Sequence, residues 1–80
     1  MKNNIDNNKY YVFGTDWNGM KIEDIYTLII DKVCDTKEEA IEEMKRMWKE
    51  ELMDDEGCYY YHNGELVSDE ELYEMGINVF

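Results

Sequence analysis

The chain has no basic residue after Lys49. Residues 50–80 hold ten carboxylates and neither lysine nor arginine, whereas residues 1–49 hold ten acids and eight bases. Nearly all of the net charge of −12 therefore lies in the last part of the chain. Charge distributed so unevenly destabilises a compact state through self-repulsion. It also argues against direct binding to nucleic acid or to anionic membranes, which require lysine and arginine.

Catalytic and metal-binding motifs are also missing. The sequence has no glycine-rich phosphate loop, and its one histidine, His62, lacks the neighbours of a catalytic triad. Cys34 and Cys58 are predicted to be free thiols, since a cytosolic chain rarely forms disulfides. Together with His62 they offer three zinc ligands where a structural site needs four. Residues 54–56 lack the pattern of a calcium loop. We therefore expect neither an enzyme nor a cofactor.

Proline is absent, and the longest apolar run, residues 28–30, is far too short to span a membrane. A polar segment follows Met1 where a signal peptide would have an apolar stretch, so the expected location is cytoplasmic. Eighty residues suffice for one domain. We predict a single domain over residues 9–80, preceded by a flexible arm at residues 1–8.

The first half of the chain predicts a hairpin and a helix. Aromatic and β-branched residues at 10–13 indicate a strand, and Asn18-Gly19 suits a tight type I′ turn. Residues 25–30 are predicted to form the returning strand. Thr36 and Glu39 fit a capping box, and apolar residues at helical spacing predict an amphipathic helix that ends near Asp54.

The second half repeats this pattern. Residues 58–62 and 65–67 are predicted strands joined by Asn63-Gly64, and Ser68 caps a short helix that closes at Gly76. Residues 77–80 alternate apolar and polar, as in a short last strand. The predicted fold is a small α+β domain of order β-β-α-β-β-α, with antiparallel hairpins packed on one long amphipathic helix.

The acids at the end of the long helix are unusual. They oppose the helix dipole and are predicted to form two i, i+4 rows, Glu50 with Asp54 and Glu51 with Asp55. Alternation along a strand places Tyr59 and Tyr61 on one face and Tyr60 on the other. One face is expected to be core, the sequence does not decide which, and rings on the exposed face would anchor a partner. Trp17 is either a cross-strand packing residue or a further anchor.

The predicted partner-binding surface combines these acids and two tyrosines. It comprises Glu50, Glu51, Asp54, Asp55, Glu56, Glu65, Asp69, Glu70, Glu71, Glu74, Tyr59 and Tyr61. Carboxylates spaced about 5–6 Å apart on a helix approximate the phosphates of a nucleic-acid strand. The alternative is that the acidity serves only solubility.

In size, charge and lack of catalytic motifs, the chain resembles small phage-encoded inhibitors of host defence, including anti-CRISPR proteins and restriction inhibitors that mimic DNA. The resemblance rests on residues 50–56 and 69–74 and is one of type, without a shared motif. It implies a non-enzymatic inhibitor that occupies the basic nucleic-acid site of a nuclease or CRISPR effector. The alternative is a small interaction or regulatory module, including a homodimer formed through a free strand edge.

Overall fold

The computed structural model describes residues 3–16 and 19–80. Trp17 and Asn18, and hence the packing role and the turn predicted for them, lie outside the described residues. The described elements are, in order, β1 (Tyr10–Asp16), a 3₁₀ helix (Ile22–Tyr26), β2 (Lys32–Cys34), α1 (Lys37–Glu50), β3 (Glu56–His62), β4 (Glu65–Ser68) and α2 (Asp69–Glu74). The α+β class is confirmed, but the exact order is not, because a 3₁₀ helix separates the first two strands.

The four strands form one antiparallel sheet in the order β2-β1-β3-β4. The Asn63-Gly64 hairpin is confirmed, since these residues join β3 to β4 with φ angles of 45° and 89°. Both values are positive, as a type I′ turn requires. The long pairing of β1 with β3 brings the end of β1 against the start of β3, where Asp16 lies opposite Glu56.

The strand predicted over residues 25–30 is wrong. The 3₁₀ helix begins where Asp24 accepts a 2.8 Å hydrogen bond from the Lys21 amide, and only Lys32–Cys34 pairs with β1. Ile25 is buried, whereas Ile29 is 89% exposed. Some residues of the apolar run 25–30 therefore pack over one face of the sheet, and the run does not add a strand to the sheet.

Helix α1 begins as predicted, because the Thr36 hydroxyl accepts a hydrogen bond from the Glu39 amide. It ends at Glu50, before the predicted end near Asp54. The amides of Glu51 and Leu52 both donate to the Met47 carbonyl, which closes the last turn. None of the helices in the described part of the chain is long and apolar enough to cross a membrane.

Ser68 caps α2 by accepting from the Glu71 amide, and Gly76 follows the helix with a φ of 88°, as predicted. The last strand predicted at residues 77–80 is wrong. The Ile77 amide donates to the Leu72 carbonyl, so the chain turns back over the helix, and Val79 enters the core without pairing with a strand.

The sheet is covered on both faces. On one face, Val12 and Tyr60 pack with Met44 of α1 and Leu72 of α2. On the other face, Phe13 packs in a second cluster supplied largely by the connection between β1 and β2. The predicted packing on one long helix therefore describes only the first face.

The flexibility predicted for residues 1–8 stays a prediction. In the structure, the Asn3 side-chain amide donates to the carbonyls of Ile25 and Leu28 at 2.9 and 2.7 Å, and its backbone amide donates to the Tyr26 carbonyl. The beginning of the described chain is thus attached to the 3₁₀ helix.

Candidate functional site

A cleft of about 480 Å³ lies at the end of the sheet where β1 finishes and β3 begins. The start of α2 forms one side of it, and Trp48 of α1 and Phe80 form another. The described residues that line it are Thr15, Asp16, Gly19, Trp48, Asp54, Asp55, Glu56, Gly57, Tyr59, Ser68, Asp69, Glu70 and Phe80. Its volume falls in the range of pockets that hold small ligands.

The charge of the cleft is of one sign. Six carboxylates line it, and the described lining residues include no lysine or arginine. Five of these acids were predicted as site residues from the sequence, namely Asp54, Asp55, Glu56, Asp69 and Glu70. The sixth, Asp16, was missed because it belongs to the first half of the chain. The pairing of β1 with β3 brings it to the site.

Asp69 differs from the other acids of the cleft because its side chain is buried, with the residue only 6% exposed. The Trp48 indole Nε1 donates to its Oδ2 at 2.9 Å, the Cys58 amide donates to the same oxygen at 3.1 Å, and the Glu70 amide donates to Oδ1 at 2.7 Å. A buried carboxylate requires such partners. Asp69 therefore joins α1, β3 and α2, and the surface position predicted for it is wrong.

An aromatic cluster borders the cleft. The Trp48 and Phe80 rings lie 5.0 Å apart at a tilted angle, and the Tyr73 ring lies 6.0 Å from Phe80 in an edge contact. Phe80 and Tyr73 remain 57% and 60% exposed. These three residues were not predicted as site residues, since only the fold brings α1, α2 and residue 80 together.

The two tyrosines predicted as anchors have different environments. Tyr59 is half-buried and lines the cleft. Tyr61 is only 7% exposed, because it packs with Phe13 and Ile25 in the second core cluster. The prediction that Tyr61 is an exposed anchor is therefore wrong. The predicted alternation itself is confirmed, since Tyr60 belongs to the cluster on the opposite face.

The remaining predicted site residues do not line the cleft. Glu65 is exposed beside the β3–β4 turn, and Glu71 and Glu74 are exposed on α2. Glu50 and Glu51 contact Arg46 instead. The two predicted i, i+4 rows do not form, because α1 ends before Asp54 and Asp55 and these residues lie in a turn.

A separate acidic cluster surrounds Arg46, the only arginine in the chain. Its guanidinium donates to both carboxylate oxygens of Glu43 at 2.8 and 2.5 Å, to Glu51 at 3.0 Å and to Glu50 at 3.3 Å. An oxygen of Asp31 lies 3.7 Å from the same group. Bidentate pairing of this kind is among the stronger ion pairs. The network attaches the segment before β2 to α1.

The carboxylates around Arg46 have displaced pKa values. Hydrogen bonds from Arg46 lower the pKa of Glu43 to about 2. Burial, together with a hydrogen bond to Glu43, raises the pKa of Asp31 to about 7. Single oxygens of Asp31, Glu43 and Glu51 lie within 4.8 Å of one another, an arrangement that could hold a cation. The Arg46 guanidinium already supplies positive charge at this position.

The cysteines and His62 do not form a common site among the residues that the structure describes. Both thiols are free and buried. Burial and the neighbouring Asp69 carboxylate raise the pKa of the Cys58 thiol, which disfavours the reactive thiolate. His62 stacks on Tyr10 with ring centres 3.8 Å apart, and its Nδ1 lies 2.9 Å from the Lys9 carbonyl oxygen.

Comparison of the chain with protein-family models, with curated proteins and with solved structures finds no match.

Proposed function

We propose that this protein is a non-enzymatic acidic binding protein that inhibits a nucleic-acid-binding protein by occupying its basic site as a DNA or RNA mimic. The proposed partner is of the nuclease or CRISPR-effector type. The observation that carries the proposal is the cleft, which six carboxylates line without a lysine or arginine among its described residues.

The arrangement of these acids favours a partner with a basic surface. Asp16 and Glu56 lie opposite each other on neighbouring strands, where the Cβ atoms of paired residues are typically about 5 Å apart. Asp54 and Asp55 continue the same negative surface through the adjoining turn. A duplex presents one negative charge per about 1.7 Å of its axis, so closely spaced carboxylates offer a comparable target to lysine and arginine. Complementary charge also accelerates association and makes it sensitive to salt.

The chemistry of the cleft supports a binding role over a catalytic one. Its described lining includes neither histidine nor cysteine. Ser68 lines it, but the Ser68 hydroxyl accepts the Glu71 amide as the cap of α2, and the neighbouring side chains are acids and aromatic rings. A serine nucleophile needs a base and an orienting group within hydrogen-bond reach.

Affinity capture with salt elution tests the proposal. The tagged protein is immobilised, exposed to lysate of the cells in which it acts, and eluted with a salt gradient, and the eluted proteins are identified by mass spectrometry. We expect a nuclease or nucleoprotein that moderate salt releases and that added duplex DNA or RNA displaces. Recovery of a partner indifferent to both salt and nucleic acid would refute mimicry.

A matched pair of variants assigns the effect to the cleft. Asp54→Asn with Asp55→Asn removes two charges from it, whereas Glu65→Gln with Glu74→Gln removes two exposed charges elsewhere. The first pair should release the partner at lower salt than the second pair. If the partner is released from both variants at the same salt concentration as from the parent protein, the acidic-surface model is contradicted.

A second candidate function is a small interaction or regulatory module that dimerises through the free edge of β2. The observation that favours it is the exposure of apolar side chains at this end of the sheet, where Ile29 is 89% and Val33 50% exposed. Unpaired edge strands readily pair with another chain. This candidate predicts concentration-dependent dimerisation with little salt dependence, measured by sedimentation velocity, and its loss in Val33→Lys.

A further inference from the structure

Three aromatic side chains are exposed or partly exposed at the acidic cleft. Trp48 and Phe80 line the cleft, and Tyr73, which is 60% exposed, contacts Phe80. Contiguous apolar surface of this kind marks an interaction site in many proteins. A purely electrostatic mimic of phosphates would not require it.

The ring that faces the cleft from α1 is held in position before any partner arrives. The Trp48 indole donates to the buried Asp69 carboxylate, and its ring also packs against Phe80. Asp69 is in turn held by the amides of Cys58 and Glu70. A side chain fixed in this way loses little conformational freedom on binding, which favours affinity.

Carboxylates beside exposed aromatic rings match the chemistry of one side chain in particular. The arginine guanidinium is planar, pairs with carboxylates through two parallel hydrogen bonds, and stacks on aromatic faces. Lysine offers a compact and strongly hydrated charge that uses the rings less well. We infer that the cleft receives an arginine side chain of the partner protein, held by the Asp54, Asp55 and Glu70 carboxylates and stacked against the Trp48–Phe80 cluster.

This inference rests on the proposed function and refines it from a general basic surface to an arginine anchor. A second copy of the chain does not supply such an anchor. Arg46 is the only arginine in the sequence, and its guanidinium already donates to Glu43, Glu50 and Glu51. The occupant is therefore an arginine from a different protein.

Two short peptides test the inference without knowledge of the partner. Fluorescein-labelled hexa-arginine and hexa-lysine carry the same charge, and their affinities for the full chain are measured by anisotropy at low salt. We expect hexa-arginine to bind several-fold more tightly. The ¹⁵N indole signal of Trp48 should also shift more on addition of hexa-arginine. Equal affinities, or equal shifts, would overturn the arginine anchor.

Phe80→Ala separates stacking from charge attraction. Loss of one exposed cation–π contact should weaken hexa-arginine binding about threefold and leave hexa-lysine binding nearly unchanged. Tyr26→Ala is the matched control, because Tyr26 is an aromatic residue of the 3₁₀ helix, 44% exposed and outside the cleft lining. If the two substitutions weaken hexa-arginine binding equally, the inference is refuted. Circular dichroism verifies that both variants fold.

The failure of the anchor is distinguishable from the failure of the proposed function. Suppose that Asp54→Asn with Asp55→Asn lowers the affinity for both peptides equally, while Phe80→Ala changes neither affinity. The acidic surface then stands and the arginine anchor is wrong. Suppose instead that Asp54→Asn with Asp55→Asn changes neither affinity, while Glu65→Gln with Glu74→Gln lowers both. The cleft is then not the binding surface, and both proposals fail.

Discussion

Asp31 makes the stability of this protein depend on pH in an unusual direction. In the unfolded chain its carboxyl ionises near the ordinary value of 3.8, whereas the fold raises its pKa to about 7. Between these values the folded state holds a proton that the unfolded state has lost. The contribution of this proton to the free energy of unfolding is therefore complete below pH 3.8 and is lost as the pH rises through about 7.

Burial raises the pKa of Asp31 most, and the neighbouring carboxylates raise it further against the opposing charge of Arg46. Glu43 and Arg46 lie beside it on α1, Glu51 lies beside it just after α1, and Lys32 follows it in the chain. The protonated Asp31 carboxyl donates a hydrogen bond to the Glu43 carboxylate, and its ionisation would place a further negative charge beside two others. The pKa of Glu43 is lowered from 4.5 to about 2. The contribution of the ionised Glu43 to the free energy of unfolding is therefore present above pH 4.5 and is lost only as the pH falls toward 2.

Asp31→Asn should remove this pH dependence, because an asparagine amide can donate to Glu43 at every pH. The folded parent protein loses this proton between about pH 5 and about pH 8, and the resulting fall in its free energy of unfolding is at most about 2.6 kcal/mol. The Asp31 side chain is 23% exposed, and solvent screening reduces the expected effect to about 1 kcal/mol. The difference in free energy of unfolding between the variant and the parent protein should therefore grow in favour of the variant by about 1 kcal/mol from near pH 5 to near pH 8.

Urea unfolding followed by circular dichroism at several values of pH measures this difference. Asp35→Asn is the matched control, since Asp35 lies at the other end of β2 with a side chain that is 69% exposed and pairs with Lys9. A difference of the same size and pH dependence in Asp35→Asn would mean that the effect is not specific to Asp31. A stability difference for Asp31→Asn that is constant with pH, or one that shifts against the variant as the pH rises, would refute the reasoning.

Three further predictions follow from buried or strained positions. Asp69→Ala leaves the buried Cys58 amide and the partly buried Trp48 indole N–H without their acceptor and should lower the free energy of unfolding by about 3 kcal/mol, more than Asp69→Asn; a loss below about 0.5 kcal/mol in urea unfolding would contradict this. Gly64→Ala should cost about 1–2 kcal/mol from backbone strain alone, because φ is 89° and the added Cβ meets no atom within 4 Å, whereas Asn63→Gly should be tolerated. The Cys58 thiol should resist iodoacetamide until the protein is unfolded, and complete labelling of the native protein, read by mass spectrometry, would be evidence against its burial.

Local signals in the sequence predicted the local structure well. The turn at Asn63-Gly64 follows from residues that tolerate positive φ, and the starts of α1 and α2 follow from the hydroxyls of Thr36 and Ser68. Each depends on interactions within four residues, so no tertiary information was needed.

The wrong predictions concern choices that tertiary packing decides. An apolar run such as residues 25–30 serves equally as a strand within a sheet or as a cover over one, and burial of Ile25 selects the second. Asp69 reads as a surface residue at the start of a helix, but its partners Trp48 and Cys58 come from distant parts of the chain. The cleft could not be predicted from the sequence for the same reason. Only the fold brings Asp16 and Phe80 to it.

The two acidic groupings of the fold are neutralised to very different degrees. The chain's only arginine lies among Glu43, Glu50 and Glu51, where bidentate and single hydrogen bonds offset their repulsion. The cleft has no equivalent among its described lining residues, although like charges there oppose folding. Acidity that served solubility alone would not need to gather around exposed aromatic rings. The described lining of the cleft supplies no lysine or arginine, which a basic partner would bring, and this difference between the two groupings is the physical basis for proposing such a partner.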